Sequence, residues 1–202
     1  MKTRNFLVVF ILIFAMLLVA CGGNTLSLTG TWKGTFDFSE TIEEQMKNDN
    51  PELFKYINFD SLEFTYVFEF TEKNVKLSVD KESVNQFLAN MKKGIADMVD
   101  TKMADVSIVS GQSAEELYAG LGSTREAYIQ SVIDGMALET TVQAMAEGIT
   151  TSGTYEYDDE QITIYYNDNT YEEMEYSYSN ETLKITITDG KAKYPILFHK
   201  EK

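Results

Sequence analysis

Apolar and polar residues alternate in several short stretches of the chain, a pattern of period two that is typical of half-buried β-strands. The clearest stretch runs from Leu62 to Phe70, where every second residue is leucine, phenylalanine or tyrosine. An earlier alternation begins at Gly30, and another runs from Val75 to Val79 after a short turn. The first part of the chain therefore predicts three strands, the last two of them joined as a hairpin.

After these three strands, the hydrophobic period changes to three or four residues, which predicts helices. The apolar face comprises Val84, Phe87, Leu88, Met91, Ile95, Val99 and Met103. Two capping boxes follow, Ser113-x-x-Glu116 and Ser123-x-x-Glu126, and each is expected to open a further helix. Residues 81–150 therefore predict a helical insertion of about three helices. A shorter helical connection is predicted at 39–57, with Ser39 as the cap of one short helix and Asn50-Pro51 as a cap followed by proline at the first helical position.

After Ser152 the alternation returns in five stretches that are separated by turn residues. Five strands joined by short turns form an antiparallel meander, and the first three strands bring the total to eight. The predicted fold class is mainly β with a helical insertion (α+β), an eight-stranded antiparallel barrel interrupted by the helices. Eight strands close a barrel just wide enough for side chains or for one small ligand.

The N-terminus has the layout of a secretory signal peptide, with Lys2 and Arg4 before an apolar run that ends at Ala20. Leu18-Val19-Ala20-Cys21 resembles the bacterial lipobox, and the resemblance implies that Cys21 is lipidated and becomes the new N-terminus. The alternative is an ordinary signal peptide followed by a free thiol. The predicted organisation is a signal peptide at 1–20, an anchored linker at 21–27, and one domain at 28–202 carrying the insertion.

Composition and charge restrict the possible functions. Without residues 1–20, the chain has 15 basic and 32 acidic residues. Such a surface disfavours binding to nucleic acid. The chain has one histidine, His199, and one cysteine, Cys21, which is predicted to be lipidated. It therefore lacks the residues that a serine triad, a zinc site or a Cys–His pair would need. Carboxylates are plentiful, but no pair stands out, so the sequence predicts a protein without enzymatic activity, cofactor or metal.

Gly30-Thr31-Trp32 on the first predicted strand resembles the G-x-W motif of the lipocalins, and more closely that of bacterial lipocalin-like lipoproteins. The resemblance implies that Trp32 closes one end of the barrel beneath a basic residue of the last strand, with Lys200 in place of the usual arginine. The helical insertion departs from the family pattern, and the other lipocalin signatures are absent.

These observations predict a lipoprotein anchored to the membrane of the bacterial cell envelope by its acyl chains, outside the cytoplasm, with a site for a small apolar or amphipathic ligand. Alternation places five aromatic residues as candidates for its lining: Phe64, Tyr66, Phe68, Tyr155 and Tyr157. The alternative is a non-enzymatic envelope interaction protein that docks a protein partner through its helices. A solidly packed barrel would argue against a ligand inside it, and an exposed apolar patch on the helices would favour the alternative.

Overall fold

Eight β-strands close into one antiparallel barrel whose strands are neighbours in the order of the sequence. The computed structural model describes residues 27–189 and 192–202. The strands are β1 (Gly30–Asp37), β2 (Glu63–Phe70), β3 (Asn74–Val79), β4 (Thr151–Tyr157), β5 (Gln161–Tyr166), β6 (Tyr171–Ser179), β7 (Thr182–Asp189) and β8 (Ala192–Lys200). β1 pairs with β8 to complete the ring, so the predicted eight-stranded barrel is confirmed.

The barrel forms because the alternation along each strand turns one set of apolar side chains inward. A shift of one residue in register would expose that set to water, which fixes the pairing of the strands. In β2, for example, Phe64, Tyr66, Phe68 and Phe70 are all buried, while Glu63 and Glu69 are exposed. The central part of the hydrophobic core therefore lies inside the barrel.

Two connections at one end of the barrel carry all of the described helices. The first contains α1 (Ser39–Asp49) and α2 (Pro51–Phe54), between β1 and β2. α2 begins at the predicted proline, but Ser39 is not a cap. Ser39 is the first residue of α1, and its hydroxyl group donates to Asp37 and accepts from the backbone N–H of Leu62 at 2.8 Å.

The second connection is the helical insertion, which joins β3 to β4 and consists of four helices. They are α3 (Lys81–Ser110), α4 (Ala114–Gly120), α5 (Arg125–Gly135) and α6 (Leu138–Ile149). We call these four helices the helical block. The sequence predicted about three helices, because the break between α5 and α6 falls at Ala137, a residue type that does not indicate a left-handed turn, while Gly135 still belongs to α5. Ala137 has a φ of 49°, a left-handed conformation that alanine rarely adopts.

The predicted capping boxes differ in outcome. Ser113 and Glu116 form a complete box at the start of α4, as predicted. The second box is wrong by one position, because the cap of α5 is Thr124, whose hydroxyl group accepts from the backbone N–H of Ala127 at 3.2 Å. Asp80 caps α3 by accepting from the backbone N–H groups of Glu82 and Ser83.

The helical block covers the end of the barrel that it shares with α1 and α2. Phe87 of α3 packs on Phe64 of β2, with 4.4 Å between their ring centroids. Farther along α3, Gly94 lies against the ring of Phe59, so close that a Cβ atom at position 94 would be 2.4 Å from it. Because these contacts hold the first connection, the helices and the barrel together, the apolar core continues from the barrel into the helical block.

The predicted signal peptide at 1–20 and the lipidated Cys21 lie outside the described residues. Within the described ranges, none of the helices combines the length and the apolar composition needed to span a bilayer.

Candidate functional site

Packed side chains occupy the inside of the barrel. Phe64, Phe68, Leu183, Ile185 and Phe198 are completely inaccessible to solvent. Four cavities among the described residues are lined by other side chains. The barrel therefore has the filled interior that eight strands can provide.

The structure divides the five predicted ligand-binding residues between the two ends of the barrel. Phe64 lies at the end covered by α3, where it contacts Phe87. Phe68 lies toward the other end, stacked on Phe70, and Tyr155 packs edge-on against Phe70 at 4.9 Å between centroids.

The remaining two candidates, Tyr66 and Tyr157, differ in exposure. Tyr66 is buried, whereas 42% of Tyr157 is exposed, and Tyr157 stacks on Tyr155 at the rim of the barrel. The five residues are thus part of the packing of the barrel and do not surround a common space.

Trp32 closes the barrel at the end where the chain enters. Its indole N–H donates to the carbonyl oxygen of Leu28 at 2.7 Å, and both residues are buried. The ammonium group of Lys200 lies 5.4 Å from the centroid of the Trp32 ring, which is within the range of a cation–π contact. This is the contact with the last strand that the G-x-W resemblance implies.

Gly30 allows this contact between Trp32 and Lys200. Its φ is +129°, a conformation that side-chain-bearing residues rarely adopt, and a Cβ atom there would lie 2.6 Å from Cε of Lys200. Glycine is therefore required two positions before the tryptophan for both backbone and steric reasons.

A mostly apolar opening lies within the helical block. It is a cavity of about 400 Å³ between α3, α4 and α5, and we call it the helical pocket. Its lining comprises Met98, Val99, Lys102, Met103, Val106, Gln112, Glu116, Leu117, Gly120, Leu121, Tyr128 and Val132. A concave, mostly apolar site of this volume, with a few polar groups, is typical of sites that bind small molecules.

Helical periodicity explains how these residues face one space. Along α3, Met98, Lys102 and Val106 are separated by four residues each, so they lie on the same face. The facing walls arise in the same way from Leu117 on α4 and Leu121 directly after it, and from Tyr128 and Val132 on α5.

A charged contact holds the walls of the helical pocket together. Arg125 at the start of α5 binds the carboxylate of Asp100 on α3 through two nitrogens, with Nε 2.8 Å from Oδ1. The hydrogen bond and the charge of Asp100 raise the pKa of Arg125 above its ordinary value. Tyr118 of α4 is buried beside this pair, and burial together with the nearby carboxylate raises the pKa of its hydroxyl group. The three helices thus meet at one contact point, where the Arg125–Asp100 ion pair is partly exposed and Tyr118 is buried.

The end of α3 beside the helical pocket exposes apolar side chains to solvent. Ile108 is 81% exposed and Val109 is 89% exposed. Val106 and Leu121, which line the pocket, are also exposed on their outer sides. Apolar surface therefore continues from the pocket to the end of α3.

Sequence reasoning placed the ligand site in the barrel and missed the helical pocket. The apolar pattern of α3 contained a signal, because it continues beyond Met103 to Val106, Ile108 and Val109. More apolar positions than one buried face needs indicate a surface with a further use.

His199 lies on an exposed part of β8, with Nδ1 3.5 Å from the hydroxyl oxygen of Thr182. Among residues 27–189 and 192–202, no three His, Cys, Asp or Glu side chains lie close enough together to hold a metal ion.

No known protein family, no curated protein and no solved structure matches this chain.

Proposed function

We propose that the protein is a bacterial envelope lipoprotein, anchored through acylated Cys21 outside the cytoplasm, with a lipocalin-like barrel whose helical block binds a small apolar or amphipathic ligand. The lipobox and the G-x-W strand support the anchor and the family resemblance. The observation that carries the binding function is the helical pocket, an apolar cavity of about 400 Å³ beside a barrel that is already filled.

The topology supports an orientation for this binding site. β1 begins at the end of the barrel opposite to the two helical connections. Only six residues separate Cys21 from buried Leu28, so that even a fully extended chain between the two reaches about 25 Å. An acyl anchor at Cys21 would keep the closed end of the barrel near the membrane. The helical pocket would then face away from it, so that the ligand is received from the surrounding aqueous phase or from another protein.

The direct test is to identify what the protein carries. We would purify the full chain in detergent, record native mass spectra, and extract non-covalent small molecules with solvent, since acyl chains on Cys21 stay attached. Val132→Trp fills the helical pocket, and Leu197→Trp adds the same side chain to the exposed outer face of β8 as a control.

We expect a stoichiometric small molecule from the wild type and from Leu197→Trp, and much less of it from Val132→Trp. Equal recovery from all three proteins would place the ligand elsewhere. An empty wild-type protein, with no uptake of added apolar ligands, would contradict the binding function.

The exposed apolar end of α3 supports a second candidate, an envelope interaction protein that docks a protein partner there. This candidate predicts that Val109→Asp abolishes crosslinking to one defined envelope protein and leaves any small molecule in the helical pocket unchanged. Persistence of the crosslink in Val109→Asp would argue against it.

A further inference from the structure

The two charged side chains that line the helical pocket differ in whether they have a hydrogen-bond partner. The carboxylate of Glu116 accepts the backbone N–H of Ser113 at 2.8 Å, at the start of α4, where the helix dipole favours negative charge. Within the part of the chain that the structure describes, Lys102 makes neither an ion pair nor a hydrogen bond. The nearby acid Asp100 is already bound by Arg125. Of the two charged groups that line the pocket, the ammonium group of Lys102 is therefore the one without a partner among the described residues, while Glu116 is held at the start of α4.

The place of Lys102 on α3 puts this charge at the edge of apolar surface. Met98 and Val106 lie one turn before and one turn after it on the same face of the helix. The methylene groups of a lysine can lie along apolar neighbours while its ammonium group stays in water. The pocket thus combines an apolar chain-binding space with one cationic group at its rim.

We infer that the ligand is a single-chain amphiphile with one carboxylate headgroup, which Lys102 binds through Nζ while the chain lies among Met98, Met103, Leu117 and Val132. This inference rests on the proposed function, because it names the chemical class of the ligand in the same pocket. A carboxylate carries one negative charge and matches one ammonium group, whereas a phosphate monoester carries nearly two. A cavity of about 400 Å³ is near the lower end of the range for small-molecule sites, which favours one chain over two.

The test uses the full chain in nanodiscs of uncharged phospholipid and two photoactivatable probes. One probe is a long-chain fatty acid with a diazirine in its chain, and the other is the corresponding alcohol. After irradiation, mass spectrometry measures the labelling of residues 98–132. The variant is Lys102→Gln, and the control Lys184→Gln removes the same charge from an exposed position on β7, far from the pocket in the fold.

We expect the fatty acid to label residues 98–132 of the wild type and of Lys184→Gln, and about tenfold less of Lys102→Gln, as befits one lost charge-assisted hydrogen bond. Labelling by the alcohol should not depend on Lys102. Equal labelling of Lys102→Gln and the wild type by the fatty acid would overturn the carboxylate inference and leave the proposed function standing. Failure of both probes to label residues 98–132 in any of the proteins would overturn the two together.

Discussion

Trp32 joins three parts of the structure at the closed end of the barrel: the entering chain at Leu28, the last strand at Lys200, and Tyr178, whose ring is edge-on to the indole. We expect Trp32→Ala to lower the free energy of unfolding by about 3–5 kcal/mol, because it removes a fully buried aromatic side chain. Urea unfolding followed by circular dichroism measures this, since the variant has no tryptophan fluorescence.

A matched control for Trp32 is Tyr178→Ala, which removes a ring that is 43% exposed. Tyr178→Ala should lower the free energy of unfolding by clearly less, because folding buries less of the apolar surface of Tyr178 than of Trp32. Equal costs for the two variants would contradict the central role of Trp32 in closing the barrel.

Tyr66 should make the stability of the protein sensitive to alkaline pH. Burial inside the barrel, with a contribution from Tyr194, raises the pKa of Tyr66 to about 12. Between about pH 10 and pH 12, the unfolded chain loses this proton while the folded protein keeps it, so the free energy of unfolding falls as pH rises. We expect the wild type to lose about 1–2 kcal/mol more than Tyr66→Phe across this interval, measured by denaturation at each pH.

The control for this pH dependence is Tyr171→Phe at a position that is 63% exposed. It should follow the wild-type curve. If Tyr66→Phe also followed it, Tyr66 would not be buried as its position in β2 requires.

At the scale of elements, the turn between α3 and α4 depends on a left-handed glycine. Gly111 has a φ of +71° and ends α3, whereas Gly148 lies in the helical backbone of α6. Neither glycine has a neighbour that an added Cβ atom would touch. We expect Gly111→Ala to lower the free energy of unfolding by about 1 kcal/mol and so to lower the melting temperature. Gly148→Ala should raise the free energy of unfolding by about 0.5–1 kcal/mol and so raise the melting temperature. Shifts of the same sign would show that backbone conformation does not decide the effect.

The strands could be predicted from the sequence because each signal is local. Alternation identifies the buried face of a strand without knowledge of its neighbours, and residues such as those from Leu62 to Phe70 have it in full. The signal for the start of α4 was equally local, since Ser113 and Glu116 form their capping box within one turn. The break between α5 and α6 was not predicted, because alanine rarely adopts the left-handed φ of 49° that Ala137 has there.

The candidate site could not be predicted in the same way. Alternation indicates which side chains face inward, but it does not reveal whether facing side chains leave a space between them. Phe64 and Phe68 were correctly assigned to the inside of the barrel, where their rings contact neighbours instead of lining a cavity. Met103 of α3 was predicted as part of an apolar helix face, and the space beside it and Met98 depends on where α4 and α5 pack.

For the whole molecule, the proposed anchor makes a prediction about location. Cys21→Ser removes the thiol that would be acylated, so we expect the intact mass to lack acyl chains and the protein to leave the membrane fraction, because several buried methylene groups no longer hold it. Circular dichroism should be unchanged, since position 21 precedes the folded domain. An unchanged mass and membrane fraction would contradict the acyl anchor.

The central claim is that the binding space lies in the helical block and that the barrel is filled. Xenon occupies apolar cavities, and crystals exposed to xenon gas would locate them directly. We predict xenon between α3, α4 and α5, beside Met103 and Val132, with none inside the barrel. Xenon among Phe64, Phe68 and Ile164, with the helical pocket empty, would contradict the account and return the ligand site to the barrel.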